Sequence, residues 1–405
     1  MRKIYTSVDI GSDTIKIVVG EIFDKKLNIL AVSTVKSSGV KKGVIVDANE
    51  IIITLKKAIE EIESKLSVTI DKVIATVPSY NAAFEIVNGE ILLDSEGVRV
   101  AGFDIVNVLK ESIKDKIKED RELVSIIPIY FIVDEKKNIK DPKGLICKKL
   151  GVKAMMVTTP SKNVNSVISI FASMGIDVVD LNIGPICDYE EFRNQNVDNS
   201  LSAIINIGSD VTTVSLFNKG IIVNSEIIQI GGKNIDNDIS YVFKTSKEDS
   251  FKLKEEFAVA HKKFSRVNDT KECITVNKDV ININQYDISQ VVMSRLTEIL
   301  KLAKKQSYLL TNKEISYIII TGGVSEMPGI SYLIDEIFSN NAKVGNIDTI
   351  GIRNDKFSTV SGLIRFFNSK LDLRDNEVCM IDIDENKNIE DSSVMKKVFG
   401  YFFDN

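Results

Sequence analysis

Two stretches about two hundred residues apart constrain this chain more than any other feature: VDIGSDTIKIVVGEI, opening at Val8, and INIGSDVTTVSLFNK, opening at Ile205. Each reads as an apolar, β-branched strand, a Gly-Ser-Asp turn and a second strand running back. An imperfect internal repeat of this kind predicts two copies of one module facing each other across a cleft. The length of 405 residues leaves room for both copies and for insertions between them.

The rest of the chain divides around the repeat. Residues 1–83 with 161–197 form the first module, in which GVIVDANEIIITLKKAIEEIESKL shifts to helical period with Asp47 or Asn49 as its cap. Residues 84–160 read as an inserted subdomain of strands and one charged amphipathic helix, with a loop DEKKNIKDPKG between two of the strands. Residues 198–229 with 305–370 form the second module, and 230–304 are its helical subdomain. Residues 371–391, LDLRDNEVCMIDIDENKNIED, are acidic and lack helical periodicity, which predicts a flexible linker. The amphipathic segment 392–405 follows.

Composition removes several classes. A net charge of −5 offers no general basic surface for nucleic-acid phosphates. One histidine, His261, rules out a multi-histidine metal site. Four cysteines, far apart and without a CxxC pair, exclude a zinc ribbon and suit reduced thiols. The opening residues lack the apolar run and cleavage site of a signal peptide, and no stretch of about twenty apolar residues predicts a membrane span.

Three elements carry chemistry. In DIGSDTIK, a buried strand ending in Asp-x-Gly-Ser sets backbone N–H groups and a hydroxyl where a polyphosphate fits. There Asp9 would hold a metal-bound water, Gly11 lets the backbone approach, Ser12 and Asp13 line the turn and Lys16 offers a cation. The second copy, NIGSDVTT, supplies Asn206, Gly208, Ser209, Asp210 and Thr212. In IIITGGVSEMPGI, a strand feeds Gly322-Gly323, then Ser325 and Glu326, a turn on which a flat base and ribose can lie. Each element alone also reads as an ordinary turn; the three in this order point to a nucleotide.

These are the phosphate-1, phosphate-2 and adenosine motifs of the actin, Hsp70 and sugar-kinase superfamily. The chain further resembles the FtsA family of bacterial cell-division proteins. SSGVKKGVIVD, the insert with its Asp141-Pro142-Lys143-Gly144 loop, QIGGKNIDNDIS and LKEEFAVA are similar to stretches of that family, over nearly the whole chain. The resemblance implies an α/β fold of duplicated, ribonuclease-H-like actin-type domains with an FtsA-type inserted subdomain. It implies ATP and Mg2+ as cofactors, with Gly231, Gly232 and Lys254 joining the nucleotide contacts. It also implies head-to-tail filaments, the FtsZ C-terminal tail and other division proteins as partners, and a peripheral place on the cytoplasmic side of the membrane at the division site. On the helix QVVMSRLTEILKLAKKQ, Arg295 and Lys301 are the residues carried over for the acidic FtsZ tail; Arg295 also reads as a surface pair with Glu298. The chain departs from the pattern at Asn206, where the family has Asp, and at Val211, Phe257 and Ala258. Neutral Asn contributes no charge toward magnesium, so the expectation is nucleotide binding with at most weak hydrolysis. Two other readings stay open: a sugar or small-molecule kinase, and a pilus-assembly actin-like protein.

The last residues, SVMKKVFGYFFDN, gather Val394, Met395, Val398, Phe399, Phe402 and Phe403 on one half of a helical wheel at about 100° per residue. Lysines flank that face, as in helices lying on a membrane surface; a helix docked on the protein's own core gives the same pattern. Burying each large side chain yields roughly 1.5–3 kcal/mol, while ordering the segment costs about 1 kcal/mol or more per residue. One tail therefore binds weakly and several on a polymer bind well.

Overall fold

Strand Lys3–Ile10 turns at Gly11 and returns as Thr14–Phe23, with Asp9 opposite Lys16 and Ile10 opposite Ile15. Lys26–Lys36 extends this antiparallel ribbon. On the other side of the first strand, Lys72–Val77 and then Asp177–Ile183 add in parallel. A parallel addition needs a crossover, and helix Ala48–Leu66 provides it, capped by the Asp47 carboxylate, which accepts from the backbone N–H groups of Asn49 and Glu50. The computed structural model describes residues 3–94 and 97–381.

The second lobe repeats the plan. Leu201–Ile207, Thr212–Asn218 and Ile221–Ile228 form the antiparallel ribbon, and Tyr317–Thr321 and Ala342–Val344 add in parallel beside Leu201–Ile207. Both sheets thus have five strands in one order. Helices Gly232–Phe243, Lys247–Glu256 and Gln285–Leu309 surround the second sheet, and a hairpin, Thr270–Ile274 with Val280–Asn284, sits among them.

Between Val77 and Ser161 the chain builds a separate unit. Strands Ala83–Leu92, Lys149–Pro160, Arg121–Val133 and Lys136–Ile139 pair in that spatial order. Helix Gly102–Ile113 covers the sheet and buries Ile105, Val108 and Leu109 against Phe131, Val152 and Met156. The unit has a core of its own, while Val124, Met155 and Val157 of its strands pack into the first-lobe core and seat it on that lobe.

Two helices join the lobes. Gly184–Phe192 leaves the first lobe, and Ser358–Leu373 comes back from the second. They cross so closely that a Cβ at Gly362 would collide with the Cys187 carbonyl oxygen. Val360, Leu363, Ile364 and Phe367 complete the core of the first lobe, and Ser7 Oγ donates to the Val360 carbonyl. Residues 358–370, grouped with the second module on sequence, therefore belong to the first.

The acidic stretch also differs from expectation over its described part. Leu371–Leu373 finish the returning helix, Met380 and Ile381 are buried, and the Met380 N–H donates to Ile4 O at 3.0 Å. Lys143, from the Asp-Pro-Lys-Gly loop, reaches Asp372 O at 2.6 Å and Asp375 at 2.9 Å. The apolar anchors Leu371, Met380 and Ile381 outweigh the acidic composition, and two of its acids have lysine partners. Residues 382–405, with the membrane-face candidates from Val394 to Phe403, lie outside the described residues. Among the described residues no helix is long and apolar enough to cross a membrane.

Candidate functional site

The two Gly-Ser-Asp turns meet at a cavity of about 370 Å³ between the lobes, within the size range of small-molecule sites. Asp9, Gly11, Ser12, Asp13 and Lys16 line it from the first lobe, and Asn206, Gly208, Ser209 and Asp210 from the second. Gly232 and Lys254 come from the helical subdomain, and Gly322, Gly323 and Glu326 complete the wall from the third motif. Three expected residues lie elsewhere. Thr212 is buried with its hydroxyl donated to Ile230 O, and Thr213 lines the cavity instead. Ser325 donates to Gly322 O at 2.7 Å, and Gly231 backs the Gly208–Ser209 turn.

The first-lobe turn is closed by Gly11 N–H donating to Thr14 O at 3.1 Å, and the second by Gly208 N–H donating to Val211 O at 3.0 Å. Lys16 lies opposite Asp9 in the ribbon and holds its carboxylate at 3.3 Å. The other Asp9 oxygen accepts from Thr76 Oγ1 at 2.9 Å. Lys254, only 5 % exposed, is paired with Asp236 at 2.9 Å and Glu255 at 3.3 Å.

In the second turn the Asn206 amide donates to Asp188 Oδ2 at 2.7 Å. The other Asp188 oxygen accepts from Ser358 and Thr359, each at 2.7 Å. Burial pushes the Asp188 carboxyl up to about 6, against the pull of these three donors and with the Asp9 charge adding to the rise. Gly322 has φ +99° and lies against this turn; a Cβ there would come within 2.6 Å of Asn206 Oδ1. Burial and the Glu326 charge likewise push the Asp355 carboxyl up to about 6.

A short hairpin of the first lobe, Val40–Lys41 with Val44–Ile45, roofs the cavity through Val40, Gly43 and Ile45. It also bridges the lobes. Lys42 donates its N–H to Asp210 Oδ2 and its ammonium to Gln229 Oε1, both at 2.9 Å. Lys233 of the second lobe pairs with Asp210 at 2.7 Å and reaches Ser12 O at 3.5 Å. Thr76 and Asp188 lie in no stretch singled out from the sequence; Lys42 and Lys233 lie within SSGVKKGVIVD and QIGGKNIDNDIS, where no site role is expected of them. The partner-binding candidates lie on helix Gln285–Leu309: Arg295 is held bidentate by Asp238, at 2.6 and 2.9 Å, and also by Glu298, while Lys301 is exposed.

The cavity wall carries six carboxylates, from Asp9, Asp13, Asp188, Asp210, Glu255 and Glu326, against three lysines, Lys16, Lys254 and Lys356. A polyphosphate entering such a site needs a divalent cation to offset the repulsion. Asp9 and Asp188 offer hard carboxylate oxygens, few in number, which is the donor set magnesium takes when phosphates and water supply the rest.

Duplicated five-strand sheets, glycine turns at their shared cleft and an insert on the first lobe define an actin-like fold. Solved structures agree: MreB5 of Spiroplasma citri bound to ADP is similar over 92% of this chain and 99% of that one, with a TM-score of 0.54 at 11% identity. The PilM–PilN type IV pilus biogenesis complex is similar over 89% and 97%, with a TM-score of 0.56 at 13% identity. A family model for cell division protein FtsA matches residues 203–362, and one for the SHS2 domain inserted in FtsA matches residues 81–158. FtsA of Bacillus subtilis is 28% identical over 90% of this chain and 83% of its own; that of Enterococcus hirae is 27% identical over 89% and 82%. The chain belongs to the FtsA family of cell division proteins.

Proposed function

We propose that the chain binds ATP with magnesium between its lobes, polymerises head to tail, and tethers FtsZ filaments to the inner face of the membrane during division. The observation that supports this most is the convergence of both Gly-Ser-Asp turns and the Gly322-Gly323 turn on one cavity. Asp9 and Asp188 are the residues that would hold the metal, which supplies charge neutralisation for the phosphates. Ser12 and Ser209 lie at the phosphate end, and the Gly322–Gly323 backbone faces the base and ribose. Lys42 and Lys233 link the lobes across the phosphate turns, so occupancy of the cavity and closure of the cleft are mechanically joined. A closed cleft presents one fixed shape for a heterologous, filament-forming contact.

An acidic FtsZ tail would meet Lys301 directly but must displace Asp238 or Glu298 to reach Arg295. Membrane attachment rests on Val394, Met395, Val398, Phe399, Phe402 and Phe403, multiplied by polymerisation.

Sedimentation with lipid vesicles, with and without ATP, tests the whole reading. ATP should increase the pelleted fraction, and Phe399→Glu with Phe402→Glu should abolish pelleting while ATP affinity stays unchanged. Pelleting that survives this double variant would refute the anchor.

A further inference from the structure

Asn206 lies next to last in the strand that enters the second Gly-Ser-Asp turn, and Asp188 stands beside it. We propose that Asp188, on the helix joining the lobes, supplies the negative charge toward the metal–phosphate end of the cavity that residue 206 does not. This rests on the nucleotide reading above.

Four observations carry it. Asp188 and Asn206 both line the cavity, together with Asp9. Their side chains form one unit, with the Asn206 amide donating to Asp188 Oδ2 at 2.7 Å. A carboxylate at 206 would set two acids at that distance, and like charges so close in a buried setting cannot both ionise. Within the pair, residue 206 is neutral and the one acid stands on the neighbouring helix.

The third observation is how the charge is held. Ser358 and Thr359, which donate to the other Asp188 oxygen, are the first two residues of helix Ser358–Leu373. Asp188 thus sits at the positive end of a helix dipole, which favours an anion. The fourth is that hydrogen bonding alone does not require a charge here. An amide at 188 could accept from both hydroxyls with its oxygen and give its NH2 to a flipped Asn206. Keeping a carboxylate at a position 2 % exposed adds a desolvation penalty that the packing does not demand. A charge retained at such a cost, on the wall of the cavity, has a ligand-directed use.

Asp188→Asn is nearly isosteric and tests this directly. The affinity of the full chain for a fluorescent ATP analogue is titrated with and without Mg2+, and thermal melting of the nucleotide-free protein is followed as a folding control. In the wild type Mg2+ should tighten binding. In Asp188→Asn the metal-free affinity should hold or improve, because a repulsive charge has gone, and the tightening by Mg2+ should fall by about 10-fold or more. The exchange variant, Asp188→Asn with Asn206→Asp, should recover most of the Mg2+ effect and carries the test if the single variant does not fold. A full Mg2+ effect in Asp188→Asn, or an exchange variant no better than the single one, overturns the proposal and leaves Asp188 as a connector between helices. A wild-type chain that binds no ATP at any Mg2+ concentration overturns the nucleotide reading and this proposal together.

Discussion

The two lobes share a strand order and a turn, yet they support that turn by different means. In the first lobe the hairpin at residues 40–45 leans on it, with Gly43 N–H donating to Ser12 Oγ at 3.2 Å. In the second, the start of helix Gly232–Phe243 does so, with Gly232 N–H on Gly208 O at 2.9 Å and Lys233 N–H on Ser209 O at 2.8 Å. Each supporting element then grips the opposite lobe: Lys42 holds Asp210, and Lys233 reaches Ser12. Duplication kept the frame, and the segments that diverged became the contacts between the copies. The turn residues differ as well: Asp9 is held by Lys16, whereas its counterpart Asn206 leans on Asp188, and elsewhere in the second lobe Asp355 faces Glu326.

The comparison breaks most completely at the joint, since it holds both copies in one orientation. Gly362→Ala places a methyl group on the Cys187 carbonyl oxygen, and the helices must separate. Urea unfolding should show a loss of about 3 kcal/mol, at the upper end of overpacking costs. Gly184→Ala, on the partner helix, is the control. Its Cβ would make an ordinary contact, 3.5 Å from Thr359 Cγ2, and should change stability by no more than about 0.5 kcal/mol.

The raised Asp355 predicts a pH dependence, to which Asp188, also raised to about 6, adds from the helix joining the lobes. The Asp355 carboxyl stands at about 6 when folded, against an ordinary value of 3.8. A raised carboxyl binds its proton more tightly in the folded state. Its contribution is therefore full below about pH 4 and is lost as pH rises through 6, by roughly 2–3 kcal/mol. Asp355→Asn, which cannot ionise, should flatten the fall in stability between pH 4 and 6 measured by urea midpoints. An unchanged slope would mean that other groups govern this window.

How far the sequence revealed these features depends on chain distance. The repeat made both hairpins and both turns legible, and the family stretches marked the insert. Thr76 and Asp188 were not legible, because they reach the cavity through crossovers that bring distant strand and helix ends together. The sequence does not separate Thr212 from Thr213, because adjacent strand residues face opposite sides of the sheet and the loop GSDV gives no count for which faces in. Helix Ser358–Leu373 follows the second lobe in the chain, yet its apolar face fits the first, and hydrophobic pattern alone does not say which core it completes. The linker expected at 371–391 is a packed segment over its described part, residues 371–381, because acidic composition conceals three well-placed apolar anchors.

The cross-lobe grip offers a smaller effect that sharpens the comparison. Asp210→Ala removes the acceptor shared by Lys42 and Lys233. A net hydrogen bond is worth about 1 kcal/mol, so release of a fluorescent nucleotide should quicken by roughly fivefold in stopped flow. An unchanged release rate would mean that the hairpin roof does not restrain the ligand.

The smallest expected effect concerns a contact that only the first lobe has. Lys143 ties the insert to the outgoing chain through Asp372 O and Asp375, but Asp375 is more than half exposed, and exposed pairs contribute 0 to about 1 kcal/mol. Lys143→Ala should therefore leave global stability nearly unchanged. It should nonetheless loosen the strap locally, because Met380 and Ile381 lie only a few residues beyond the lost anchor, where the Met380 N–H bonds to Ile4 O. Hydrogen exchange should quicken at residues 376–381 and stay as in the wild type in the second lobe. Quickening confined to the loop around Lys143 would show that the buried Met380 and Ile381 hold the strap without help from the insert.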